Sequence, residues 1–173
     1  MTPSRSKAAG VQVHLVDGTY ELFRHHFGQA ARQSSDPEIA ATRGVLSSVL
    51  SMLESGATHI GVATDHVVES FRNDMWPGYK TSAGMPPELL AQFPVLEQCL
   101  EAMGVIVWPM VELEADDALA SAAAVAADDS RVVQVVICTP DKDLAQCVRD
   151  SRVVQLDRRA GTMIDEQGVW EKF

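Results

Sequence analysis

Acidic side chains come directly after several apolar runs of strand length in this sequence. The clearest example is Thr139-Pro140-Asp141-Lys142-Asp143, which follows the β-branched run 132–138 and places two carboxylates two residues apart. Because ligands of an open α/β sheet bind at the carboxyl ends of its strands, these carboxylates are predicted to line a ligand site. The full set of strand-end acids is Asp17, Asp65, Glu114, Asp116, Asp117, Asp141 and Asp143.

This many carboxylates at one edge of a sheet favour divalent cations as the ligand. Mg²⁺ prefers hard oxygen ligands, and a pair of such ions can polarise a phosphodiester, deprotonate a water molecule and stabilise the leaving oxygen. The structural alternative is that each acid caps a helix or closes a turn, as Asp and Glu commonly do. Spacing alone leaves both interpretations open, and the joint occurrence at four strand ends is what favours a metal site.

Apolar periodicity predicts the elements that would position these acids. Strands are predicted at 11–16, 59–64, 105–108, 132–138 and 152–156, with 162–164 as a hairpin extension. Helices are predicted at 19–27, 42–53, 86–103, 114–127 and 144–148, with the start of another at 167–173. Because strands alternate with helices, the chain is predicted to be an α/β three-layer sandwich with a central, mainly parallel sheet.

The segment 66–85 is the least regular part of the sequence. Phe71-Arg72, Trp76 and Tyr79-Lys80 interleave aromatic and basic side chains there. Such a loop suits a polynucleotide strand, because bases stack on aromatic rings and phosphates contact cations. The alternative is an ordinary surface loop anchored by Phe71 and Trp76.

Composition narrows the function classes. A length of 173 residues suits one soluble domain, and no apolar run reaches the roughly 20 residues of a membrane span. The net charge of −10 argues against a broadly basic nucleic-acid surface. Three cysteines without metal-ligand spacing predict reduced thiols and a cytoplasmic location.

Residues 1–10 are predicted to form a flexible tail. The sequence contains no glycine-rich phosphate loop, zinc-type histidine spacing or nucleophile-elbow serine.

Short motifs in a characteristic order resemble the 5′-nuclease family, in particular the 5′-to-3′ exonuclease domain of bacterial DNA polymerase I and its flap-endonuclease relatives. The two most specific motifs are Glu114-Ala115-Asp116-Asp117 and the segment Thr139 to Asp143. The others are Val16-Asp17-Gly18 with Tyr20 and Arg24, Thr42-Arg43-Gly44-Val45 at the start of a long helix, and Thr64-Asp65 with Phe71-Arg72 and Tyr79-Lys80. The resemblance covers residues 11–173 and implies a PIN-like, or resolvase-like, N-terminal domain over that range.

The resemblance implies a Mg²⁺-dependent 5′-to-3′ exonuclease or flap endonuclease that hydrolyses phosphodiester bonds in DNA with 5′ ends or flaps. It implies two ions in the complete family site, with Mn²⁺ able to substitute. The implied metal ligands are Asp17, Asp65, Glu114, Asp116, Asp117, Asp141 and Asp143. The implied catalytic residues are Lys80, Asp17, Asp65, Asp116 and Asp141, with Lys80 contacting the scissile phosphate. The implied substrate-binding residues are Arg24, Arg72, Tyr79 and Lys80.

The sequence also departs from the family pattern. Ala83 stands where the family usually has an arginine, Pro140 replaces a glycine, and residues 85–98 contain no Lys or Arg. The helix-hairpin-helix module that follows in the family, with two further aspartates, is not found within residues 1–173. The chain is therefore expected to be either the N-terminal portion of a longer protein or a short relative. Two alternatives stay open: a 5′-nuclease-like domain of weak or no activity that binds or regulates, and a PIN-type ribonuclease.

Overall fold

A six-stranded sheet lies at the centre of the computed structural model, which describes residues 10–30, 36 and 38–172. The strands are β1 (Val11–Asp17), β2 (His59–Thr64), β3 (Ile106–Pro109), β4 (Val132–Cys138), β5 (Val153–Asp157) and β6 (Thr162–Ile164). The helices are α1 (Gly18–Ala30), α2 (Ala40–Glu54), α3 (Arg72–Met75), α4 (Pro87–Leu90), α5 (Gln92–Ala102), α6 (Ala115–Asp128) and α7 (Glu166–Lys172). A 3₁₀ helix, η1, spans Lys142–Cys147.

The strand order creates a crevice at the carboxyl ends of the central strands. The order is β3-β2-β1-β4-β5-β6, with the first five strands parallel and β6 antiparallel to β5. The direction in which strands are added reverses between β1 and β4, and open α/β sheets bind ligands at such a switch point. Asp17 ends β1 and Thr139 directly follows β4, so two predicted motifs flank the crevice.

Two separate apolar cores cover the two faces of the sheet. One contains Val16 of β1 and is closed by α1, α2 and α5 through residues such as Leu22, Val45 and Phe93. The other contains Leu15 of β1 and is closed mainly by α6. Successive residues of one strand therefore face opposite cores, as expected for a strand buried on both sides. The predicted three-layer α/β sandwich with a mainly parallel sheet is confirmed.

The predicted continuous helix 86–103 is wrong, because the structure divides it into α4 and α5 at Ala91. The cause is Pro94, which has no backbone N–H and whose ring would clash with the carbonyl of Leu90 in a continuous helix. Restarting the helix at Gln92 places Pro94 in the first turn, where backbone N–H groups have no helical partner. The side-chain amide of Gln92 bridges the break by donating to a backbone carbonyl of α4 at 3.0 Å.

The other predicted helices also differ at their ends, and two of these differences lie next to the predicted site. Helix α6 begins at Ala115, because Glu114 has an extended backbone (φ −101°, ψ 162°) and acts as the N-cap. The segment 144–148, predicted as a helix, lies mostly in the 3₁₀ helix η1, which ends at Cys147. Short 3₁₀ turns commonly serve as connectors, and this one leads from β4 towards β5.

The predicted N-terminal tail, residues 1–10, falls outside the described residues except for Gly10, so the tail and the domain range 11–173 stay predictions. Over the described part of the chain, no helix has the length and apolar character needed to cross a membrane. The longest of these helices, α2, has 15 residues, against the roughly 20 that a bilayer requires.

Gly18 allows α1 to approach the end of β2 closely. A Cβ atom at this position would lie 2.8 Å from the carbonyl oxygen of Ala63 and 2.8 Å from the side chains of Val62 and Thr64. We expect Gly18→Ala to lower the free energy of unfolding by about 1–3 kcal/mol, the usual effect of overpacking. The matched control is Gly28→Ala in the same helix, where a Cβ meets nothing within 4 Å.

Urea unfolding of the two variants checks this expectation. Gly28→Ala should be neutral or stabilising by up to about 1 kcal/mol, because alanine is the better helix former. A Gly18→Ala protein as stable as the wild type would show that the contact between α1 and β2 is looser than the structure indicates.

Candidate metal centre

The carboxyl ends of the central strands bring together acidic side chains from four separate elements. Asp17 is the last residue of β1, Asp65 follows β2, Asp116 lies in the first turn of α6, and Asp141 precedes η1. After burial, the charges of Asp116 and Asp65 raise the pKa of Asp17, and those of Asp141 and Asp65 raise the pKa of Asp116. We call these four residues the acidic cluster.

Asp17 is the most constrained member of the acidic cluster, with 6% of its surface exposed. Its Oδ1 accepts a hydrogen bond from the backbone N–H of Tyr20 at 2.8 Å, and its Oδ2 accepts one from the hydroxyl of Thr139 at 3.0 Å. Both bonds favour the charged form, but burial outweighs them and, with the charges of Asp116 and Asp65, raises the pKa of Asp17 to about 7. Keeping this carboxyl ionised at neutral pH is therefore unfavourable for the folded protein.

Lys80 reaches from the loop 66–85 into the acidic cluster. Its Nζ donates to Oδ2 of Asp65 at 2.7 Å and lies 3.7 Å from Oε2 of Glu114. The other carboxylate oxygen of Asp65 accepts from the backbone N–H of Ala115 at 2.8 Å, at the start of α6. Burial disfavours the ammonium, but the hydrogen bond to Asp65 and the nearby charges outweigh it, so the pKa of Lys80 is raised. Lys80 is held as a cation beside the acids.

Glu114 and Asp117 form a reciprocal capping box at the start of α6. Oδ2 of Asp117 accepts from the backbone N–H of Glu114 at 3.0 Å. Arg72 adds two hydrogen bonds to Asp117, both of 2.8 Å, and one to Glu114 of 3.2 Å. The hydrogen bonds from Arg72 are the main reason why the pKa of Asp117 is lowered. Asp117, a predicted metal ligand, is thus engaged in a helix cap and a two-bond ion pair.

Asp116 differs sharply from its neighbour Asp117. Its half-buried carboxylate makes no hydrogen bond with any residue that the structure describes. Burial and the charges of Asp141 and Asp65 raise the pKa of Asp116 to about 6. A carboxylate without a hydrogen-bonding partner and with a raised pKa is the kind of group that gains most from a bound cation.

Asp141 and Asp143 are exposed at the turn between β4 and η1. Oδ1 of Asp141 accepts from the backbone N–H of Asp143 at 2.9 Å, so Asp141 caps η1. The side chain of Gln155 donates to the backbone carbonyl of Asp141 at 2.5 Å and holds the turn against β5. The capping alternative is therefore realised at this turn, while Asp141 also acts electrostatically on Asp116.

The loop 66–85 exposes all three of its aromatic rings. Phe71 is 42% exposed, Trp76 is 71% exposed and Tyr79 is 47% exposed. The alternative in which Phe71 and Trp76 anchor the loop is wrong for this reason. The anchor is Arg72, whose guanidinium lies 4.7 Å from the ring centroid of Phe71 while it bonds to α6.

Arg24, predicted to bind substrate, projects from α1 and not from this loop. Its Nη2 lies 2.5 Å from Oε2 of Glu21, a glutamate that is only 1% exposed. Arg158 approaches the other oxygen of Glu21 at 3.6 Å. Two guanidinium groups therefore face one buried carboxylate.

Hydroxyl groups that orient the acids were not predicted from the sequence. Besides Thr139, Ser70 donates to Glu114 at 2.6 Å, and Oγ1 of Thr19 accepts from the backbone N–H of Asp65 at 2.7 Å. Thr139 has a sequence signal, because it opens a recognisable motif. Ser70 and Thr19 have none, because their partners lie 44 and 46 residues away along the chain.

The site contains carboxylate oxygens of the kind that bind metal ions, but they are not already arranged as a coordination shell. Within the described ranges, no three acidic, histidine or cysteine side chains are grouped to hold one metal ion. Lys80 and Arg72 lie against Asp65 and Asp117 and neutralise part of the negative charge. The donor set nevertheless fits Mg²⁺, which prefers hard carboxylate oxygens and favours ionised acids.

The fold and its acidic edge define an α/β domain of the resolvase-like class. The chain belongs to the family described as 5′-3′ exonuclease, N-terminal resolvase-like domain, whose family model matches residues 12–173. The family resemblance inferred from the motifs is confirmed.

Named relatives agree with this assignment. DNA polymerase I of Pseudomonas aeruginosa is 32% identical over 162 residues, which are 92% of this chain and 17% of that protein. The 5′-3′ exonuclease of Bacillus subtilis is 28% identical over 149 residues, which are 82% of this chain and 49% of that protein. The chain therefore spans about half the length, or less, of these relatives.

Solved structures of bacteriophage T5 proteins share the fold. The T5 flap endonuclease, in a pseudo-enzyme–product complex with DNA and metal ions, matches with a TM-score of 0.67 and 20% identity over 93% of this chain and 60% of that chain. A T5 protein co-crystallised with metal ions gives a TM-score of 0.68 at 16% identity, with the same coverage. At these identities the likeness is evidence for the fold.

Proposed function

We propose that this chain is the catalytic domain of a Mg²⁺-dependent 5′-to-3′ exonuclease or flap endonuclease that hydrolyses phosphodiester bonds in DNA. The observation that carries the proposal is the meeting of Asp17, Asp65 and Asp116, from three separate elements, beside the cation of Lys80. Membership of the 5′-3′ exonuclease family supports it. The T5 relative in complex with DNA and metal ions supports the choice of partner and cofactor.

The acidic cluster is proposed to hold the metal. A divalent cation bound there would polarise the phosphodiester and lower the pKa of a bound water molecule. Asp17 and Asp116 would give up the protons that their raised pKa values favour. Glu114, Asp117 and Asp143 complete the proposed ligand set for two ions, and Asp117 would first have to leave Arg72.

Lys80 is proposed to stabilise negative charge on the scissile phosphate. Its Nζ now bonds to Oδ2 of Asp65, so a small movement of the loop 66–85 would bring it to a phosphate oxygen at the acidic cluster. Arg72 would position this loop through its two hydrogen bonds to Asp117 and would contact the strand when released. The exposed ring of Tyr79 would stack on a base, and Arg24 on α1 would contact the strand farther along.

Asp141→Asn tests the proposed chemistry. We expect the variant to lose about 100-fold or more of the rate of 5′-flap cleavage, because an amide does not supply an anionic oxygen. Asp128→Asn is the matched control, since it removes the same charge at the last residue of α6, and it should retain the wild-type rate. The rates are measured on gels in Mn²⁺ at low salt, because 14 basic against 24 acidic residues predict weak DNA binding.

The same assay separates the candidate functions. Cleavage that requires both metal and Asp141 supports the nuclease. Binding of flap DNA without cleavage, in either Mg²⁺ or Mn²⁺, would contradict the nuclease proposal and favour a binding or regulatory domain. The ion pairs of Arg72 and Lys80 support that alternative, because they engage two of the proposed metal ligands. Preferential cleavage of single-stranded RNA would favour a PIN-type ribonuclease. The cytoplasmic location stays a prediction.

A further inference from the structure

A cavity of about 530 Å³ opens on α1, close to the acidic cluster. Three aromatic residues on one side of this helix, Tyr20, Phe23 and Phe27, line it together with Arg24 and Arg159. Their spacing of i, i+3 and i+7 places the three rings along one helix face. No described acidic side chain lines the cavity, although the chain as a whole carries a net charge of −10. The cavity is therefore an aromatic and basic site in an acidic protein.

The aromatic wall presents one exposed ring on a fixed support. Phe27 is 56% exposed, and its ring centroid lies 6.1 Å from that of Phe23 with a tilt of 56°. Phe23 in turn packs edge-on against Phe93 of the core at 6.5 Å. An exposed ring held in place by packed neighbours is suited to stacking on a planar ligand.

The charge around the cavity is positive. The guanidinium of Arg159 makes no hydrogen bond or ion pair with any described residue, and its backbone N–H donates to Asp157 at 2.9 Å. Arg24 and Arg158 share the carboxylate of Glu21, and Nε of Arg24 is buried without a partner among the described residues. The three guanidinium groups of this region therefore outnumber its two carboxylates, those of Glu21 and Asp157. A planar, anionic ligand fits this combination of rings and guanidinium groups.

We infer that this cavity binds one nucleotide of a DNA strand whose scissile phosphate lies at the acidic cluster, an inference that rests on the proposed function. The base would stack on Phe27, and the phosphate would contact Arg159. The volume of about 530 Å³ falls in the range of about 300–1,000 Å³ that is usual for ligand sites. The site would fix the position of the strand relative to the scissile bond.

The distance along α1 agrees with this placement. The backbone N–H of Tyr20 bonds to Oδ1 of Asp17 at 2.8 Å, so one end of the cavity adjoins the acidic cluster. Phe27 comes ten residues after Asp17, which corresponds to about 15 Å along the helix at 1.5 Å per residue. Stacked nucleotides at about 3.4 Å each cover that length in about four steps. The bound nucleotide is therefore expected a few positions from the scissile phosphate.

The test uses 5′-flap DNA in which 2-aminopurine replaces one base at a time, bound to the full chain at low salt in EDTA so that it is not cleaved. We expect quenching at one position or two adjacent positions, its loss in Phe27→Leu, and its return in Phe27→Trp, which restores a stacking ring. Arg159→Ala should raise the Kd about 3- to 10-fold and lower the slope of log Kd against log salt by about 0.7–0.9.

Two exposed residues that line other cavities are the matched controls. Trp170→Leu removes an exposed ring and Arg131→Ala an exposed guanidinium, and both variants should bind DNA as the wild type does. Quenching that persists in Phe27→Leu, an unchanged Kd in Arg159→Ala, or no DNA binding at all would overturn the inference. Free dAMP that competes at the same concentration as DNA would indicate a mononucleotide site and overturn the assignment to a strand. Quenching as expected without cleavage in Mn²⁺ would support the cavity and contradict the nuclease proposal.

Discussion

Lys80→Met is expected to lower the turnover of flap cleavage by about 100- to 1,000-fold while changing the DNA affinity by less than about threefold. Methionine keeps most of the apolar stem and removes only the ammonium group, whose Nζ lies 2.7 Å from Asp65. In the proposed role this charge acts on negative charge that develops in the transition state. Its loss should therefore lower kcat and leave ground-state binding largely unchanged.

Single-turnover cleavage and fluorescence anisotropy measure the two quantities separately. Lys172→Met, on α7, removes the same charge and serves as the control. Because Lys80 also neutralises Asp65, thermal unfolding of the variant must be measured to show that it is folded. An unchanged single-turnover rate in a folded Lys80→Met protein would exclude Lys80 from the chemistry and leave it as a counter-ion of Asp65.

Asp17→Asn is expected to stabilise the metal-free protein above pH 7. The pKa of Asp17 is raised from 3.8 to about 7 in the folded state, so between these values the folded protein keeps a proton that the unfolded chain has released. The stability of the wild type therefore falls as the pH rises from about 4 to about 7, and the whole loss is present above pH 7. A shift of about three pKa units corresponds to an upper value on the order of 4 kcal/mol, which asparagine avoids because it does not ionise.

Asp117→Asn should have the opposite sign. The hydrogen bonds from Arg72 lower the pKa of Asp117, so its carboxylate stabilises the folded state above about pH 4 and loses that effect on acidification. We expect a loss of about 1 kcal/mol at pH 8, the usual effect of removing a helix cap. Urea unfolding at pH 4 and pH 8, in EDTA, compares the two variants with the wild type. An Asp17→Asn protein that is less stable than the wild type at pH 8 would contradict the raised pKa.

Millimolar Mn²⁺ adds a direct test of the metal centre. A ligand that binds only the folded state raises its stability, so the wild type should unfold at a higher temperature with Mn²⁺ than in EDTA. Asp17→Asn and Asp116→Asn should show a smaller increase, because each removes one proposed ligand. Equal melting temperatures of the wild type with and without Mn²⁺ would show that these acids do not form a metal site.

The sequence by itself determined the layout of the domain. Each of the strands β1, β2 and β4 is mainly apolar, as burial on both faces of a parallel sheet favours. Parallel strands place their carboxyl ends together, so the acids at the ends of β1, β2 and β4 were predicted to lie at one edge of the sheet. The structure places them at that edge. The motifs around Glu114 and Asp141 were specific enough to identify the family.

Only the tertiary structure decided the charge state of each acidic side chain. Asp116 and Asp117 are adjacent in sequence and of the same type, yet the pKa of one is raised and that of the other is lowered. The difference arises because Arg72, 45 residues away, reaches Asp117 and not Asp116. Burial, distant hydroxyl donors and the approach of Lys80 likewise depend on how the loop 66–85 packs on α6. Local sequence predicts periodicity and turns, whereas the charge state of a carboxylate depends on which distant groups the folded chain places around it.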